Sequence, residues 1–149
     1  MPSNSSNFPN RLEGYFENDL RRFTLTNDFI YNDPEKDIRV VVPKGFTTDW
    51  NSVPRALWTY FAPWEYPEAG VVHDWLYASP NGYATQSSAP NVPLTKDQCD
   101  DVHRRILHLR GCRWAKRQAI KLALRIGGGV AWNRHRAQDI VVAPVDDHK

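Results

Sequence analysis

Apolar residues in the first third of the chain come in short runs bounded by turn-forming residues, whereas from residue 67 onward most recur at helical intervals. Phe23 and Leu25, then Phe29 to Tyr31, read as strand. Asn32-Asp33-Pro34 supplies a turn, and Ile38 to Val42 returns as the second arm of a hairpin closed by Pro43 and Gly45. A polar loop, Thr47 to Asn51, leads to Ser52 as an N-cap, with Pro54 in the first turn of a short helix toward Phe61. Pro67 and Glu68 open a helix to about Ala78, which carries Ala69, Val72, His73, Leu76 and Tyr77 on one inward face. Residues 79–93, rich in Pro, Asn, Ser and Gly, read as a mobile excursion or a functional flap. Thr95 and Gln98 match a capping box for a helix toward Arg110, which Gly111 ends. A third long helix runs from about Arg113 to Ile126, where Gly127-Gly128-Gly129 breaks or loosens the pattern. Val130 to Arg136 resumes as helix, and Ile140 to Val142 makes a short edge strand.

These elements predict an α+β fold, mainly helical, with three or four helices packed with a small antiparallel β-hairpin. The 149 residues suit one domain, 1–149, with 1–10 and about 143–149 as flexible tails. No apolar run approaches the roughly 20 residues of a membrane span. The opening Met1 to Asn10 is Ser/Asn/Pro-rich, unlike a secretory signal. Cys99 and Cys112 fall at opposite ends of one helix, about 20 Å apart at its rise per residue, too far for a disulfide. Two cysteines exclude a cysteine-only zinc site and fit a reducing cytoplasm.

Charge changes the picture more than composition does. The net charge is +2, yet residues 1–102 hold 8 Lys/Arg against 14 Asp/Glu, while residues 103–136 hold 10 Lys/Arg and no acid. Within that basic block Arg113, Arg117, Lys121 and Arg125 recur every fourth position, opposite Ala115, Ala119, Leu122 and Ile126. The stripe predicts a solvated face able to meet anionic headgroups or acidic protein partners. Nucleic acid ranks last among the partners, because no reader motif accompanies the charge.

The string Val71-Val72-His73-Asp74-Trp75-Leu76-Tyr77 sets an imidazole, a carboxylate and, four residues after the histidine, a phenol on one helix. Neighbours on a helix project about 100° apart, so His73 and Asp74 flank a cleft without facing one point. A histidine that works as a base needs a second carboxylate on its other ring nitrogen. Asp100 is the candidate, on the strip it shares with His103 and Leu107, whereas Asp101 reads as an exposed pair with Arg105 one turn on. Asp49, Ser52 and Arg55 add a carboxylate, a hydroxyl and an anion-binding guanidinium that suit a metal or phosphate site, or else a turn, a helix cap and a salt bridge locking the loop. Trp50, Trp58, Tyr60, Phe61, Trp64 and Tyr66 read as core packing beneath that loop.

The His-Asp-x-x-Tyr helix followed by a helix with an aspartate resembles the catalytic core of phospholipase A2 enzymes. That resemblance implies His73 as the base, Asp74 as a calcium ligand, Asp100 as the orienting carboxylate and Tyr77 as a supporting donor. No glycine-rich calcium loop precedes His73. A broader resemblance covers residues 23–132. The order Val42-Pro43, Gly45-Phe46, Thr48-Asp49, Ser52-Val53-Pro54-Arg55, His73-Asp74-Trp75-Leu76-Tyr77 and Asp100 is similar to a small family of bacteriophages and prophages without an established activity.

Two functions follow. One is a metal-assisted hydrolase, phospholipase-like, with His73 and Asp100 catalytic and Asp74 and Asp49 on a divalent cation, calcium by resemblance. The other is a non-enzymatic virion or tail-associated protein, made in the host cytoplasm and able to enter the particle, in which the same residues form a polar core. The hydrolase needs an imidazole held by a carboxylate from another helix at the mouth of a solvent-reachable hollow. A ring sealed inside the protein favours the polar core.

Overall fold

The computed structural model describes residues 7–18, 21–50, 56, 58–59, 62, 65–78, 83–86 and 89–137. Phe29 to Val42 folds as the expected hairpin, β3 (Phe29–Asp33) against β4 (Ile38–Val42), in a register that pairs Phe29 with Val42 and Tyr31 with Val40. Period-2 alternation buries Phe29, Tyr31, Asp33, Val40 and Val42 on one side.

The hairpin is not the whole β component, and the mainly helical expectation is overturned. Two further strands, β6 (Tyr83–Gln86) and β7 (Ala89–Pro93), extend it into a four-stranded antiparallel sheet of order β3-β4-β6-β7. A second sheet, of order β1-β2-β5, joins β1 (Gly14–Phe16), β2 (Phe23–Leu25) and β5 (Thr47–Thr48). The described residues therefore form an α+β fold of seven short strands in two sheets with three helices. Part of the segment read as an excursion is strand because Arg39 of β4 pairs with Thr85. β7 lies at the sheet's edge, where Pro90 and Pro93 need no outward donor.

α1 (Pro67–Tyr77) opens where Pro67 tolerates the missing donor. It is buried on more than the expected face, for Val71, Asp74 and Trp75 join Ala69, Val72, His73, Leu76 and Tyr77 inside. The reason is its position: α2 (Lys96–Leu109), α3 (Trp114–Ala137), β4, β5 and β6 all pack on it. α2 begins at the predicted capping box, with Thr95 accepting from the Gln98 backbone and Gln98 accepting from the Thr95 backbone. It stops at Gly111 (φ 80°), where Cys112 N–H donates to the Leu107 carbonyl (2.9 Å) and Gly111 N–H to that of His108 (3.0 Å).

α3 corrects two expectations. It runs unbroken through Gly127-Gly128-Gly129, and beyond them Trp132 packs edge-on against Tyr77 with ring centres 5.0 Å apart. That contact holds the last turns against the glycines' low propensity. Its inner face is Ile120, Ala123 and Leu124, so Leu122 and Ile126 point outward instead of opposing a solvated basic face. Cys99 and Cys112 are both buried and are not joined as a disulfide. Trp50 is core, and Trp58 and Tyr66 pack at its margin. Tyr60, Phe61, Trp64, the short helix read after Ser52 and the strand read at Ile140 to Val142 fall outside the described residues. Among the described residues no helix is long and apolar enough to cross a membrane.

Candidate functional site

The side chains that α1 and α2 hold in common form a single chain of polar contacts. His73 Nε2–H donates to Asp100 Oδ1 at 2.7 Å, and the Tyr77 hydroxyl donates to the same oxygen at 2.6 Å. Lys96, one turn before Asp100, holds Oδ2 at 2.8 Å. The α1 spacing makes this possible, since His73 and Tyr77 stand one turn apart on the strip facing α2. The other ring nitrogen, Nδ1, looks toward Asp74 Oδ1 at 3.9 Å, beyond hydrogen-bonding range. Asp74 itself accepts from the Thr48 hydroxyl of β5, whose oxygen also takes the Trp50 backbone N–H at 3.2 Å. Trp50 holds a left-handed backbone (φ 60°) there. The adjacent residues His73 and Asp74 thus reach different partners, Asp100 of α2 and Thr48 of β5, as the 100° step between them allows.

Burial decides what this arrangement can do. His73 and Tyr77 are 0% exposed, Asp74 4% and His103 6%. At the Asp100 end of the cluster a hollow of about 350 Å³ is lined by Asp97, Asp100, Asp101, Arg104, Lys121, Leu124 and Arg125. Burial by itself would lower the His73 pKa, but Asp100 and Asp74 outweigh it and raise it above 6.5. Burial likewise works to raise Asp100, yet His73, Lys96 and Tyr77 hold it down at about 2. Tyr77 moves up, through burial and then through its bond to Asp100, so it remains a phenol. His103 lies edge-on to His73, with ring centres 5.0 Å apart, and among the described residues its Nδ1 has no hydrogen-bond partner. Burial and the neighbouring His73 charge push it down to about 3, so it stays neutral. The two carboxylates thus favour the charged form of His73, while His103 beside it is held toward the neutral form.

The structure thus brings His73, Asp74, Asp100 and Tyr77 together. Asp49 is half-buried beside Thr48, while Ser52 and Arg55 lie outside the described residues. Calcium takes about six to eight oxygen donors. Among the described residues no three His, Cys, Asp or Glu side chains are gathered to hold a metal, and Asp74 is buried against Thr48. The basic stripe divides. Arg117 donates to His108 Nδ1 (2.8 Å) and to the Cys112 carbonyl (2.9 Å), Lys121 and Arg125 line the hollow, and Arg113 is exposed.

Three contacts escaped the sequence. Thr48 stands out in the sequence only as part of the Thr48-Asp49 step of the resemblance, with nothing to link it to Asp74, although Lys96 was readable as an i, i+4 partner of Asp100. Arg105 does not pair with Asp101, which binds Arg104. Instead Arg105 crosses to the β3–β4 hairpin and donates to Asp33 Oδ2 at 3.0 Å. Asp33 is 1% exposed and also accepts from the Tyr31 hydroxyl (2.9 Å) and from the backbone of Glu35 (3.1 Å) and Lys36 (3.3 Å).

No curated protein and no solved structure matches the chain. A family model described as a protein of unknown function, DUF1353, matches residues 23–124, from β2 into α3 and including His73, Asp74 and Asp100. With more than half its length matched, the chain belongs to the DUF1353 family.

Proposed function

We propose that this is a non-enzymatic interaction protein, in a phage setting a virion or tail-associated component, in which the His73 cluster fastens α1 to α2 and β5. The carrying observation is the complete burial of the His73 ring between Asp100 and Asp74. A general base must reach its substrate, directly or through one water, and must be unprotonated when it does so. His73 is enclosed and its pKa is raised, so it suits a fastener better than a base. The test is equilibrium unfolding alongside activity: His73→Gln should lower stability strongly, with no esterase or lipase turnover in the native chain to lose.

A second reading has one specific observation in its favour. Asp100, steadied by Tyr77 and Lys96, occupies Nε2 and directs Nδ1 away from α2, the orientation in which a carboxylate prepares an imidazole to take a proton. A hydrolase of this kind would cleave phospholipid vesicles and lose that turnover in His73→Gln while remaining folded. Such a result would overturn the fastener.

A further inference from the structure

Of the two apolar faces of α3, the described residues cover one. Ile120, Ala123 and Leu124 are buried, while on the outer side Leu122 is 58% and Ile126 72% exposed, with Trp114 68% exposed at the helix start. Trp114, Gln118, Leu122 and Ile126 follow one another at four-residue steps, a ridge that turns slowly around a helix about 36 Å long. The basic residues Arg113, Arg117, Lys121 and Arg125 each precede a ridge residue by one position, so a parallel basic strip flanks it. No acidic residue occurs from His103 to Arg136.

From this we infer that the outer face of α3 docks on an anionic lipid surface, lying in the plane of the membrane with Trp114, Leu122 and Ile126 in the interface and Arg113 and Arg125 against the headgroups. Charge chooses the occupant. A second copy would set two acid-free, basic helices against each other, and like charges repel. An anionic bilayer answers both features at once, because the interface accepts a convex apolar ridge without a matching groove and its headgroups attract the flanking cations. Tryptophan is at home at that depth. The attachment is peripheral, since α3 does not qualify as a membrane span. It is also independent of any chemistry at His73.

Co-sedimentation of the full chain with vesicles tests it. Binding is expected to vesicles containing phosphatidylglycerol, not to phosphatidylcholine alone, and it should weaken in high salt. Leu122→Glu combined with Ile126→Glu should reduce binding about tenfold or more. Both positions are exposed, so an unchanged melting curve should accompany the loss. Native protein that ignores phosphatidylglycerol vesicles, or a double variant that binds them as well as native does, overturns the proposal. So would binding to polyglutamate without binding to vesicles, which would indicate an acidic protein partner, or a dimer in solution that the double variant dissolves.

Discussion

Two polar clusters grip α2 from nearly opposite sides, and they differ in what they ask of the solvent. On one side Lys96, Asp100 and His103 meet His73 and Tyr77 of α1; about half a turn away, Arg105 meets Asp33 and Tyr31 of the hairpin. Both hold a carboxylate and a phenol. The hairpin cluster uses a guanidinium, charged at any ordinary pH, with part of its stem in solvent, and backbone donors complete the Asp33 shell. The His73 cluster uses an imidazole with no solvent contact, beside a second imidazole with one nitrogen that meets no partner among the described residues. One is a permanent strap and the other depends on protons.

The sharpest way to break that comparison is to remove one charge from each side. His73→Ala leaves Asp74 and Asp100 without their shared cation, and urea unfolding should register a loss of about 3–5 kcal/mol. Arg105→Ala should lose only about 1–2 kcal/mol, because Tyr31 and two backbone donors remain on Asp33. Equal losses would mean that the two clusters do the same job.

The pH dependence of stability should differ as well. His73 binds its proton more tightly folded than unfolded, so its contribution is full below about 6.5 and fades as pH rises through the raised value. His103 acts oppositely: the unfolded chain takes a proton below 6.5 that the folded chain refuses until about 3, so stability falls between those values as acid is added. Asp100 contributes above 3.8, and its share is lost as pH falls toward about 2. Urea midpoints should therefore peak near neutrality and decline by the equivalent of a few kcal/mol on the acid side. His103→Gln should flatten the acid limb, while Arg105→Ala should leave its shape alone.

The smallest expected effect lies away from both clusters. A Cβ added at Gly129 meets nothing within 4 Å. Gly129→Ala should therefore stabilise α3 by about 0.5–1 kcal/mol, seen as a higher melting temperature. A loss would mean that this helix needs its glycine for something other than flexibility.

Local chemistry by itself determined a good deal: the Asn32-Asp33-Pro34 hairpin, the proline-led start of α1, the Thr95/Gln98 cap and the Gly111 stop of α2, and the strip that aims His73, Tyr77 and Asp100 at one another. Each depends on residues within a turn or two, or on a periodicity that one element carries alone. Only the tertiary structure decided that residues 83–86 and 89–93 become strands, that α3 continues through three glycines, which of its faces turns inward, that Arg105 reaches residue 33, and that the imidazole is enclosed. These outcomes turn on partners far away in the chain. A strand edge is satisfied only when another strand arrives, and a helix with two apolar faces buries whichever one meets the core.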